Sequence, residues 1–193
     1  PFLWKQHLAL PALPGSIISV PATAGIVGDF GSLRPGSPGQ TFAWPCPERN
    51  GTTIDLSRVP PPSSGIAELM YLATPDAGWC ALTRPGGEGL ALAYDQSVFP
   101  SCWVFASYGA WRGLSVLVLE PCTGYPMSVN RGVDQGTHRV LAAGDTVRTR
   151  LALIPFDGLA SVKSVDQRDG IWIVTGPPQA RGDAYDEPHG GEG

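Results

Sequence analysis

"SVLVLEPCTGYPMSVNRG", residues 115–132, decides how this chain is read. Val116, Leu117, Val118 and Leu119 form an apolar run that ends on a carboxylate, Glu120. A proline, a cysteine, a threonine, a glycine and a second proline follow at once. A short β-branched and leucine-rich run stopped by breakers is a strand. A strand that is apolar on both faces is covered on both faces, so its last residue sits at the rim of a core. Partial desolvation there makes a carboxylate a better base than one in open water. A lone acid at a strand end is otherwise ordinary.

The same punctuation recurs along the chain. Among 193 residues there are 25 glycines and 20 prolines, well above the roughly 12% usual for the pair. So many breakers exclude long helices and suit short strands joined by turns. Strands are predicted near 17–20, 66–73, 78–84, 89–95, 102–107, 114–120, 137–142, 146–155 and 171–175. "PGGEG" at 85–89 reads as a hairpin turn, and Asp-Gly pairs at 157 and 169 mark further turns. In "TVRTRLALIPF" (146–156), Val147, Thr149, Leu151 and Leu153 alternate with Arg148, Arg150 and Ala152. That pattern predicts one buried and one solvated face of an antiparallel strand. Residues 28–65, rich in Gly, Pro and Ser, read as irregular surface chain. The expected architecture is an all-β antiparallel sandwich over 1–175, with a flexible tail over 176–193. The Arg181-Gly182-Asp183 tripeptide in that tail reads as chance composition.

Composition narrows the function. The chain is 42% hydrophobic and 16% charged, with a net charge of −4. That balance offers no electrostatic footprint for nucleic acid or an anionic membrane surface. No apolar run approaches the roughly 18 residues of a membrane span. Cys46, Cys80, Cys102 and Cys122 lie far apart without a paired-cysteine motif, as expected of free, mostly buried thiols in a reducing cytoplasm. Asn50-Gly51-Thr52 is a formal glycosylation sequon that matters only in a secreted protein.

Three histidines are present, at 7, 138 and 189. His7 stands between Trp4 and the apolar run Leu8-Ala9-Leu10. A histidine in such surroundings is more often a packed residue than a catalyst, yet it could act as a general acid near neutral pH. Trp4, Trp103, Tyr108 and Trp111 could each offer an apolar face to a bound ligand, though an aromatic in a β protein more often packs in the core. Trp111, beside the Gly109 turn and Arg112, is the one expected at a cleft mouth. Glu68 is a candidate hydroxyl-binding acid, and Asp95 reads better as a turn residue.

Three blocks in order carry a family resemblance. "FLWKQHLALPALPG" (2–15), "LALAYDQSVFPSCWVFASYGAW" (90–111) and "LEPCTGYPMSVNRGVDQGTHRVLAAGDTVRTRLALIPF" (119–156) resemble segments of the galactose mutarotase-like (aldose 1-epimerase) family. The last block contains the family's strand ending in Glu and its Leu-x-x-Gly-acid step, here Leu141 to Asp145. Pro121-Cys122-Thr123 after the glutamate looks like an uncharacterised branch of that family. The resemblance implies the family's supersandwich and a cofactor-free, metal-free isomerase acting on a monosaccharide or sugar derivative. It puts Glu120 at the base position and His7 at the acid position. It further implies an N-terminal segment or partner chain that completes the sandwich and brings the family's sugar-binding arginine and second histidine. A non-catalytic carbohydrate-binding protein on the same scaffold, or a structural β domain of a larger carbohydrate-active enzyme, are the alternatives.

Overall fold

The computed structural model describes residues 1–73 and 76–180. In chain order the strands begin with β1 (Leu8–Pro11), β2 (Ile17–Ser19), β3 (Ala24–Gly31), β4 (Thr41–Ala43), β5 (Glu48–Arg49), β6 (Thr52–Thr53) and β7 (Ile66–Ala73). They continue with β8 (Trp79–Thr83), β9 (Gly89–Tyr94), β10 (Ser101–Tyr108), β11 (Ser115–Cys122), β12 (Leu151–Phe156), β13 (Ser164–Arg168) and β14 (Ile171–Thr175). One short helix, α1 (Val129–Asp134), follows β11 and is capped by the Ser128 hydroxyl.

The protein is an all-β antiparallel sandwich. A six-stranded sheet has the order β1-β11-β10-β7-β3-β4, and a four-stranded sheet the order β12-β9-β8-β2. Alternation along the central strands sends Met70, Leu72, Cys102, Val104, Leu117 and Leu119 inward. They meet Ile18, Cys80, Leu82, Leu92 and Tyr94 from the smaller sheet. The other face of the large sheet carries Leu69, Tyr71, Trp103, Phe105, Val116, Val118 and Glu120. Both faces are apolar, which is why these strands read as continuous hydrophobic runs.

The structure corrects four readings of the sequence. Residues 137–142 form no strand: Arg139 makes one bridge to Phe2, and Val140 is exposed. The segment is held instead by side chains. Thr137 donates to the Tyr125 carbonyl, and the His138 ring lies 3.2 Å from the Pro126 carbonyl oxygen. Residues 146–150 are not strand either. Leu151 pairs with Tyr94, the last residue of β9, so no partner remains for the chain before it. Within β12 the expected buried face is the exposed one. Leu151 and Leu153 share a face with Tyr94 and Leu92 but lie on an edge strand and stay exposed. Ala152 and Ile154 are covered by Val162, Val165 and Val174 around the β13–β14 hairpin.

The fourth correction concerns residues 28–65. This stretch holds the end of β3, all of β4, β5 and β6, and the buried Trp44, Leu56 and Val59. Its glycines are contact points as well as breakers. A Cβ on Gly28 would lie 2.6 Å from the Leu69 carbonyl oxygen, so β3 can approach β7 only without one. Of the expected tail, Pro178 bridges Leu159 and the Gln179 N–H donates to the Gly158 carbonyl at 2.9 Å. Residues 181–193, with the Arg-Gly-Asp tripeptide and His189, lie outside the described residues.

All four cysteines are free; Cys80, Cys102 and Cys122 are buried and Cys46 is exposed. Among the described residues no helix is long and apolar enough to cross a membrane.

Burial also sets an alkaline limit. It raises the pKa of Tyr71, Tyr94 and Tyr108 above the ordinary 10, and that of Cys122 from 9 to about 11. The unfolded chain releases these protons at the ordinary values, so it binds fewer protons than the native state there. The stabilisation is complete below pH 9 and is lost as pH climbs through 11. Thermal melts from pH 8 to 12 are expected to hold level and then fall steeply, with delayed phenolate absorbance in the folded protein. A melting temperature that stays level to pH 12 would contradict this.

Candidate functional site

The β1–β11 register builds the site. Leu8 pairs with Leu119, and an isolated bridge joins Lys5 to Cys122 in the same register. Residues before β1 therefore continue along the end of β11. The Gln6 N–H donates to the Pro121 carbonyl at 3.0 Å, and the Thr123 N–H donates to the Trp4 carbonyl at 2.9 Å. His7 thus falls opposite Glu120 on one side, and Trp103 of β10 pairs with Glu120 on the other. Period-two alternation puts Lys5 and His7 on the same face as the carboxylate.

The three polar groups converge. His7 Nε2 lies 3.3 Å from Glu120 Oε1, and Lys5 Nζ donates to Glu120 Oε2 at 2.8 Å. The Glu120 side chain is only 3% exposed, whereas that of His7 is 60% exposed. The Lys5 ammonium also sits 4.8 Å from the centroid of the Trp103 ring, a cation–π contact. The indole N–H of Trp103 donates to the Gly124 carbonyl at 3.0 Å, which fixes the ring under the lysine. Lys5 supplies the opposite charge that a buried carboxylate requires. It occupies Oε2 and leaves Oε1 to His7.

This cluster closes one end of a groove of about 740 Å³ on the outer face of the large sheet. Past Glu120 the floor and walls are apolar: Phe105, Val116, Val118, Phe30, Trp111 and Leu114. The turn that carries Trp111 needs glycine at 109. Its φ is 85°, and a Cβ would lie 2.0 Å from the Pro62 carbonyl oxygen.

Of the residues singled out in the sequence, the groove gathers Glu120, His7, Trp103 and Trp111. The others lie elsewhere. Trp4 points to the core side and packs edge-on against Phe99, with centroids 5.1 Å apart. Tyr108 is fully buried in the core. Glu68 also lies on the core side, where Arg34 Nε donates to its Oε2 at 2.8 Å and Arg34 Nη2 contacts Oε1. Asp95 accepts from the N–H and hydroxyl of Ser97, at 2.8 and 2.6 Å, and so holds a turn.

Lys5 was not legible as a site residue in the sequence. The available signal was its spacing: in extended chain, a residue two before His7 faces the same way. Among the described residues no cluster of His, Cys, Asp and Glu could hold a metal ion. Comparison with protein-family models, curated proteins and solved structures finds no match to this chain.

Proposed function

We propose that the protein is a cofactor-free aldose 1-epimerase-like isomerase that interconverts the anomers of a hexose or sugar derivative. One observation carries the reading: an imidazole and a sequestered carboxylate lie 3.3 Å apart at the end of a groove. A cyclic hemiacetal carries its hydroxyl and its ring oxygen on one carbon. An acid and a base a few ångströms apart match those two atoms.

Glu120 Oε1 takes the proton of the anomeric hydroxyl, and the electron pair of that O–H bond forms the carbonyl. The bond from the anomeric carbon to the ring oxygen breaks, and protonated His7 Nε2 gives its proton to that oxygen. Rotation about the bond next to the aldehyde presents its other face. The reverse transfers then close the ring as the other anomer and restore both groups. Lys5 holds the carboxylate in place and supplies its counter-charge throughout. Three buried free thiols suit a reducing cytoplasm as the place of action.

A binding-only reading draws on one observation: Lys5 and His7 between them engage both oxygens of Glu120. Polarimetry of freshly dissolved hexoses separates the two. The expected result is a saturable acceleration over buffer; sugar binding without acceleration would make the protein a carbohydrate binder instead.

A further inference from the structure

We infer that the substrate is a reducing sugar with an apolar substituent far from its anomeric carbon. This rests on the anomer-exchange reading of Glu120 and His7 and specifies its substrate class. The groove has two chemically distinct parts. Lys5, His7 and Glu120 are its only titratable side chains among the described residues, all three sit at one end, and the Trp103 indole N–H beside them is taken by the Gly124 carbonyl. From Glu120 the outer face of β11 continues through Val118 and Val116, a track of about 13 Å at the strand rise. Phe105 of β10 and Leu69 of β7 extend the floor sideways. Phe30, Trp111, Leu114 and Met127 stand around it, each more than a third exposed.

An unsubstituted hexose fits only the polar end. Laid along the track, its remaining hydroxyls would lose water against Phe105, Val116 and Val118 and gain no partner. An apolar substituent there removes exposed hydrophobic surface, including a cluster of large side chains that otherwise faces water. The polar end also fixes the head group. Lys5 is paired with Glu120 Oε2, and Oε1 and the His7 imidazole remain to meet the two oxygens of a neutral hemiacetal. A phosphate or carboxylate head would meet Glu120, whose neighbouring ammonium is already engaged.

The test compares glucose with its 6-O-octanoyl ester, used below its micelle concentration. The ester keeps a free anomeric hydroxyl and adds an alkyl chain. Calorimetry on the full chain measures binding, and exchange NMR measures anomer interconversion. Each buried methylene is worth about fourfold in affinity, so two or three buried methylenes give a preference of about thirtyfold for the ester. Trp111→Ser with Leu114→Ser, both at exposed positions, should reduce that preference to below fivefold. Equal affinity for the two sugars would overturn the inference. So would a dimer that the same double substitution dissociates, because a second copy would then cover the groove. Accelerated exchange of glucose with no preference for the ester leaves the catalytic reading standing and removes this one. Tight binding of the ester with no acceleration removes the catalytic reading and with it the substrate claim, and makes the groove a binding site for the substituted sugar.

Discussion

Glu120→Gln is expected to lower the protein's acceleration of anomer exchange by about 10² to 10⁴, the range that a positioned general base contributes. The amide keeps the size of the side chain and can still accept from Lys5, so the fold should survive. It cannot take the hydroxyl proton. The melting temperature should shift by no more than a few degrees, because the Lys5 ammonium left behind is 34% exposed and can be hydrated. His7→Ala should also remove most of the acceleration, with less effect on stability, since that side chain is largely in solvent. Lys5→Met is the instructive companion. It leaves the buried carboxylate without its ammonium, so both stability and exchange rate should fall, and Lys5→Arg should restore part of each. An exchange rate unchanged in Glu120→Gln would remove the base from the mechanism.

Glu68→Ala is expected to cost stability rather than sugar binding. Its carboxylate is 2% exposed and holds the Arg34 guanidinium, itself 18% exposed, through two contacts. Burial is the largest influence and works against the charge on Arg34, yet the hydrogen bond and negative charge of Glu68, with smaller help from Tyr108 and Asp55, together keep its pKa above the ordinary value. Removing one partner of a buried pair leaves the other uncompensated, at about 3–5 kcal/mol. Arg34→Ala should cost a similar amount. The double change Arg34→Met with Glu68→Leu should cost less than either single change, because no unpaired charge remains. Urea unfolding of the four proteins measures this. A Glu68→Ala protein of full stability that no longer binds sugar would instead make Glu68 a ligand-binding residue.

The parts of this fold that were legible in the sequence are those where local pattern and tertiary burial agree. β7, β10 and β11 lie between the core and a second apolar face, so they appear as apolar runs ended by breakers. The β8–β9 hairpin shows its turn at 85–89. Where pairing depends on a distant partner, the local pattern misleads. The alternation before Leu151 is real, but β9 ends at Tyr94 and offers nothing to pair with. β1 was hidden by Pro11 and Pro14, which an edge position tolerates. β3 was hidden by glycines whose missing side chains let it lie close to β7. The site divided the same way. Glu120 stood out because a strand delivered it to a sharp break. Lys5 and the apolar track beyond the carboxylate emerge only from the β1–β11 register, which brings together residues more than a hundred positions apart.

The most direct test of the account is the exchange rate between the α and β anomers of the 6-O-octanoyl hexose. It is measured by NMR with wild type, His7→Ala, Glu120→Gln and the double variant. Wild type should accelerate the exchange clearly, and each single variant should run near the buffer rate. The double variant should be no slower than either single one, because the two groups act on one hemiacetal as a unit. A wild-type rate equal to that of buffer, or full acceleration by either single variant, would contradict the account.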